Sequence, residues 1–183
     1  VNHMTESDTA LHETRQWISD FIIKLNICPF AAKPFNDDLI HFQTLDDTEF
    51  EKLYRKTLAS LDEFHQLDPN EAEAGFLIFT RGLTDFDEYL EMLELLDQAI
   101  DDSGLRGTFQ IASFHPNYCF AGVPESDPAN GTNRSPYPMF HIIREESLAE
   151  ALEGYPDADK IPERNIALLR ALAEQSSNTK ENE

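Results

Sequence analysis

From Ser7 to about Asn26 the apolar residues Leu11, Ile18, Phe21, Ile22 and Leu25 recur at three- and four-residue steps, with Trp17 beside them. That spacing predicts an amphipathic helix. The helix must stop before Cys28-Pro29, because a proline ring crowds the preceding residue out of the helical region. Leu39 to Gln43 (LIHFQ) is short and strand-like, and Phe50, Leu53, Tyr54, Thr57, Leu58, Leu61 and Phe64 form a second helical stripe ending near the turn Asp68-Pro69-Asn70. Gly75 to Thr80 (GFLIFT) is a continuous apolar run, the signature of a strand buried on both faces. Thr84 and Asp87 suggest a weakened capping box, after which Phe86, Leu90, Leu93, Leu96 and Ile100 run down one helical face to Gly104. Thr108 to His115 and Met139 to Arg144 read as two further strands, followed by short helices from about Ser147 and from Pro162.

The order predicted is α-β-α-β-α-β, a long loop, then β-α-α. This implies one α/β domain over 7–175 with a four-stranded mixed sheet packed by helices; a ferredoxin-like α+β arrangement is the alternative. Right-handed crossovers would make the first three strands parallel, with their carboxyl ends along one sheet edge, while the direction of the fourth stays open. Residues 1–6 and 176–183 are expected to be disordered tails, and Val1, Asn2 and His3 ahead of Met4 are set aside as an added extension.

Composition narrows the function. The chain has 183 residues, a size suited to one core, and a net charge of -21, which disfavours a polyphosphate backbone or an anionic membrane surface as partner. Cys28 and Cys119 form no disulfide framework, and no spanning segment or secretory leader is evident, so a reducing cytoplasm is expected. Dispersed histidines and cysteines give no self-sufficient metal spacing, so no metal is assigned; the residues identify no cofactor and leave the oligomeric state open.

The long loop departs from the rest of the chain. Residues 105–144 hold Arg106, Arg134 and Arg144 against Glu125 and Asp127, a net of +1, so the remaining residues sum to -22. Its prolines and aromatics predict an ordered path rather than a linker. A small anionic metabolite would find a forked donor in Arg134 and further donors in Asn130, Asn133 and Ser135. Phe109, Ile111, Ser113 and His115 share one face of their strand, and Met139, His141 and Ile143 share one face of the next. His115 and His141 are therefore the candidate catalytic residues of a hydrolase or transferase, His115 as general base, and would converge if their strands are neighbours. The rival reading is a non-catalytic protein-interaction module. A concave, convergent site would favour the first and a flat apolar patch the second.

Three blocks, "NICPFA" (26–31), "QIASFHPNYCFAG" (110–122) and "TNRSPYPMFHIIRE" (132–145), resemble the bacterial domain-of-unknown-function family 1415 over about Leu11 to Leu152. The resemblance implies a small bacterial cytoplasmic protein and carries no catalytic assignment.

Overall fold

The computed structural model describes residues 4–180. The expected extension 1–3 and the last part of the expected tail, 181–183, lie outside the described residues. Helix α1 (Glu6–Trp17) opens with a capping box, Thr5 accepting from the Asp8 amide while the Asp8 carboxylate accepts from the Thr5 amide. Helical structure therefore starts at Glu6, within the stretch expected to be a tail. The helix then widens into a π-helical turn over Ile18–Ile23, a feature that apolar periodicity does not reveal. It ends at Ile23, and the turn after it carries Asn26, whose φ of 53° is a left-handed conformation that asparagine tolerates better than most residues.

Next come α2 (Ala32–Asn36), β1 (Ile40–Leu45), α3 (Phe50–Gln66), β2 (Ala74–Phe79), α4 (Phe86–Asp102) and β3 (Phe109–Phe114). β4 (Met139–Arg144), α5 (Glu145–Leu152) and α6 (Ile161–Lys180) complete the chain. The N-cap of α4 is Asp85, which accepts from the Glu88 amide, rather than Thr84. α6 runs to Lys180, beyond the point where polar composition suggests that order ends.

The sheet order is β1-β2-β4-β3. β1 and β2 are parallel, and β4 is antiparallel to both β2 and β3, so β1, β2 and β3 all point one way with β4 inserted between. This is an open mixed four-stranded sheet and not the ferredoxin-like alternative. Each face carries its own apolar layer. Leu77, Phe79, Phe109, Phe140 and Ile142 face the side covered by α3 and α4, with Leu53, Phe64, Met92 and Leu96 packed against them. Phe42, Phe76, Ile78, Phe114 and Met139 face the side covered by α1 and its π turn, against Ala10, Ile18 and Ile22. Because β2 is central, both of its faces are buried, which accounts for its uninterrupted apolar run. Gly75 in β2 makes room for Phe64: a Cβ there would lie 3.1 Å from the ring.

Candidate functional site

The segment from His115 to Pro138 folds back along the outer edge of β3. The His115 amide donates to the Asn133 carbonyl at 3.1 Å, and Asn133 Nδ2 donates to the Ser113 carbonyl at 2.9 Å. Asn130, fully buried, accepts from the Phe120 amide and donates to the Pro124 and Glu125 carbonyls. Arg134 gives Nε to the Tyr118 carbonyl and Nη2 to the Glu125 carbonyl, both at 3.0 Å, and Ser135 donates to the Tyr137 carbonyl. A 3₁₀ turn over Pro128–Asn133, capped by Asp127, packs on α6; Arg170 grips the Asp127 carboxylate at 2.9 and 3.2 Å. Gly131 serves this contact rather than a left-handed turn, since a Cβ there would lie 3.2 Å from Leu169 Cδ1.

His115 is fully buried on the α4 side. Nδ1 accepts from the Asn117 amide at 3.0 Å, which leaves the proton on Nε2 for the Leu83 carbonyl at 2.8 Å. Burial pushes the pKa below the ordinary histidine value, opposed by the hydrogen bond to Leu83. Both ring nitrogens are thus engaged by backbone. The side-chain donors of Arg134 go to other carbonyls, and no hydrogen bond joins it to His115.

β3 and β4 are neighbours, yet the two histidines do not converge. Ala112 is the register partner of His141, whereas His115 continues the alternate set Phe109, Ile111 and Ser113. One residue of parity places the rings on opposite faces of the sheet.

The face that carries His141 forms the floor of a cavity of about 480 Å³. Ile40, Ala74, Phe76, Ala112, Phe114 and His141 contribute from the sheet, Trp17, Ile18 and Ile22 from the first helix and its π turn, and Asn165 and Ile166 from α6. Each of the three blocks that carry the family resemblance reaches this wall: Cys28 and Phe30 from the first, Phe114 and Phe120 from the second, Asn133 and His141 from the third. The first block is held in place by α6, with Arg164 donating to the Asn26 carbonyl and Asn165 Nδ2 to the Ile27 carbonyl. Of the residues predicted from sequence, the structure brings Asn133 and His141 to the cavity; Asn130, Ser135, Arg134 and His115 do not line it.

The His141 ring stacks on Phe76 with centroids 4.4 Å apart and planes 1° from parallel, and makes no hydrogen bond to any described residue. Desolvation drives its pKa down to about 4, so the imidazole is neutral at pH 7. Asn165, 5% exposed, finds no donor for its Oδ1 among the described residues. Burial raises the pKa of the Cys28 thiol, making it a poor nucleophile. Sequence reasoning missed the contributions of α6 and Phe30, since tertiary packing alone brings them to the cavity. Among the described residues, no cluster of three or more histidine, cysteine or acidic side chains could hold a metal, and no helix is long and apolar enough to cross a membrane.

The depressed pKa of His141 predicts acid sensitivity. The unfolded chain binds this proton near pH 6.5 and the folded chain only near 4, so the stability is fully present above 6.5 and is lost as pH falls toward 4. The loss from this residue should be about 2–3 kcal/mol across that window. His141→Phe keeps the stack on Phe76 and removes the titration, so urea midpoints of variant and wild type should separate between pH 7.5 and 4.5 in favour of the variant. Parallel profiles would refute the assignment.

The chain belongs to the family described as "Protein of unknown function (DUF1415)", whose model matches residues 9–179. No curated protein and no solved structure matches it.

Proposed function

We propose that this protein binds a small, largely apolar organic molecule in the cavity between its sheet, α5, α6 and the π turn that follows α1, with His141 and Asn133 as polar contacts. The observation that carries the reading is an imidazole, stacked on Phe76, whose ring nitrogens make no hydrogen bond to any described residue, on an otherwise apolar floor. A concave apolar pocket with a few polar groups is the usual form of a small-molecule site. The volume falls within the range of such sites, and three sequence blocks distant in the chain meet there. The interaction-module alternative has less support, because the exposed large hydrophobics among the described residues, Met4, Leu90 and Leu152, are far apart in sequence and belong to different elements.

Among the described residues, the cavity wall contains no lysine or arginine and one carboxylate, Glu73. An anionic metabolite, expected from the charge of the loop, would therefore enter an apolar space without a counter-charge. The ligand class favoured by this wall is neutral. His141 is accordingly read first as a recognition group; proton transfer would require a substrate group within its reach.

Trp17 is the sole tryptophan and lines the cavity, so it reports on occupancy. Titration with the neutral dye N-phenyl-1-naphthylamine, exciting Trp17, should give saturable quenching with sensitised dye emission. Ala112→Phe, which fills the floor, should weaken binding about tenfold or more, roughly 1.4 kcal/mol. Absence of saturable transfer, or an affinity unchanged by the substitution, would defeat the proposal.

A further inference from the structure

We infer that the ligand of this cavity is a planar aromatic molecule bearing one neutral group that donates a hydrogen bond, a hydroxyl or an N–H; this rests on the binding reading above. Aromatic walls supply the first part. Trp17, Phe30, Phe76, Phe114 and Phe120 all line the cavity, and the His141 ring lies flat on Phe76. Trp17 meets Phe114 edge-on, with centroids 5.3 Å apart and planes at 76°. Flat and edge-on aromatic surfaces in one pocket suit a rigid planar guest, which gains stacking contacts beyond its buried area and loses little conformational freedom on binding.

The second part follows from the polar atoms. Asn165 Nδ2 is committed to the Ile27 carbonyl at 2.7 Å, while Oδ1, an acceptor only, is buried without a donor. Such an acceptor carries a desolvation cost that only a hydrogen-bond donor can offset. Neutral His141 offers one donor and one acceptor, and neither is used by a described residue. The hydroxyl of Ser147, another cavity-lining residue in α5, likewise makes no hydrogen bond to a described residue. A phenolic hydroxyl or an indole-type N–H can donate to Asn165 or to His141. A hydrocarbon can answer neither group, and a carboxylate can only accept. With no basic side chain on the wall, a carboxylate would also be desolvated without compensation.

Calorimetric titration with naphthalene, 2-naphthol and 2-naphthoate at pH 7.5 holds the ring system constant and varies the head. The expected order is 2-naphthol first, naphthalene about tenfold weaker, and 2-naphthoate weaker still. His141→Phe and Asn165→Leu should each narrow the gap between 2-naphthol and naphthalene. His141→Phe keeps the inference testable if loss of the Asn165 bond to Ile27 prevents folding. Equal affinity for naphthol and naphthalene would overturn the donor assignment and leave the cavity reading standing. Preference for naphthoate would overturn the neutral class. Failure of all three to bind, with N-phenyl-1-naphthylamine also silent, would remove the cavity reading itself; failure of all three while the dye binds would overturn only the class inferred here.

Discussion

Replacement of Arg144 by Met is expected to cost on the order of 4 kcal/mol of folding stability and to lower the melting temperature by roughly 10 °C, among the largest effects of any single substitution in this chain. Arg144 ends β4 and is 8% exposed. Nε donates to the Ala72 carbonyl at 2.9 Å, and Nη2 donates to the Phe64 and Leu67 carbonyls at 2.9 and 3.0 Å. Those last two carbonyls belong to the end of α3, where intrahelical donors run out. The guanidinium also lies 4.3 Å from the Phe64 ring centroid, so it caps a helix and covers an aromatic at once. Desolvation lowers its pKa, yet arginine starts so high that it stays charged. Met preserves the aliphatic volume and leaves three carbonyls without their charged donor. Lys can reach one of them but lacks the fork, so Arg144→Lys should recover only part of the loss. Urea denaturation monitored through Trp17 measures both; a cost below about 1 kcal/mol for Arg144→Met would show that water replaces these bonds.

The strands and the long helices α1, α3 and α4 are legible because each buries an apolar stripe whose period is fixed by its own geometry. α5, with no buried residue, and the 20-residue α6, which buries only Asn165 and Leu169, show no such stripe and read only as short helices. β4 is readable from Met139 to Arg144, and α3 and α4 show complete stripes. α2 carries too few residues to display a period, and the π turn at Ile18–Ile23 keeps the apolar content of a helix while changing its pitch. The position of β4 between β2 and β3 is a tertiary choice, made by pairing partners far away in the chain. That choice determines where the site lies. Phe76, Ala112 and His141 are adjacent only through β4 pairing on both sides, as the registers Phe76↔His141 and Ala112↔His141 record. The composition of the long loop predicts an irregular but defined path, and the segment carries a 3₁₀ turn and a set of internal hydrogen bonds. Composition does not disclose that the polar side chains are occupied by the loop's own carbonyls and amides, since Asn, Ser and Arg have the same composition whether they face a ligand or a turn.

Removal of the His115 ring is expected to destabilise the fold by about 3 kcal/mol and to leave ligand affinity unchanged. The ring bridges two pieces of irregular backbone, Leu83 ahead of α4 and Asn117 at the start of the long loop, at 2.8 and 3.0 Å. Leu83 has a φ of 56°, an uncommon conformation for a residue with a branched side chain, and the His115 bond to its carbonyl helps to hold it there. The ring also packs between Phe86 and Tyr89, with centroids 5.2 and 5.0 Å away. His115→Ala therefore empties a buried aromatic position and strips partners from one carbonyl and one amide. His115→Gln restores some hydrogen bonding and should recover about 1 kcal/mol. His141→Phe has the opposite profile: little change in stability at pH 7.5, where the imidazole is already neutral, and a reduced preference for a donor-bearing ligand. Measuring urea midpoints and N-phenyl-1-naphthylamine affinity on both variants separates the two roles. If His115→Ala weakens the dye about as much as it weakens the fold, while His141→Phe leaves the donor preference intact, then the functional side of the sheet is the one facing α4, and His115 rather than His141 is the residue that meets the ligand.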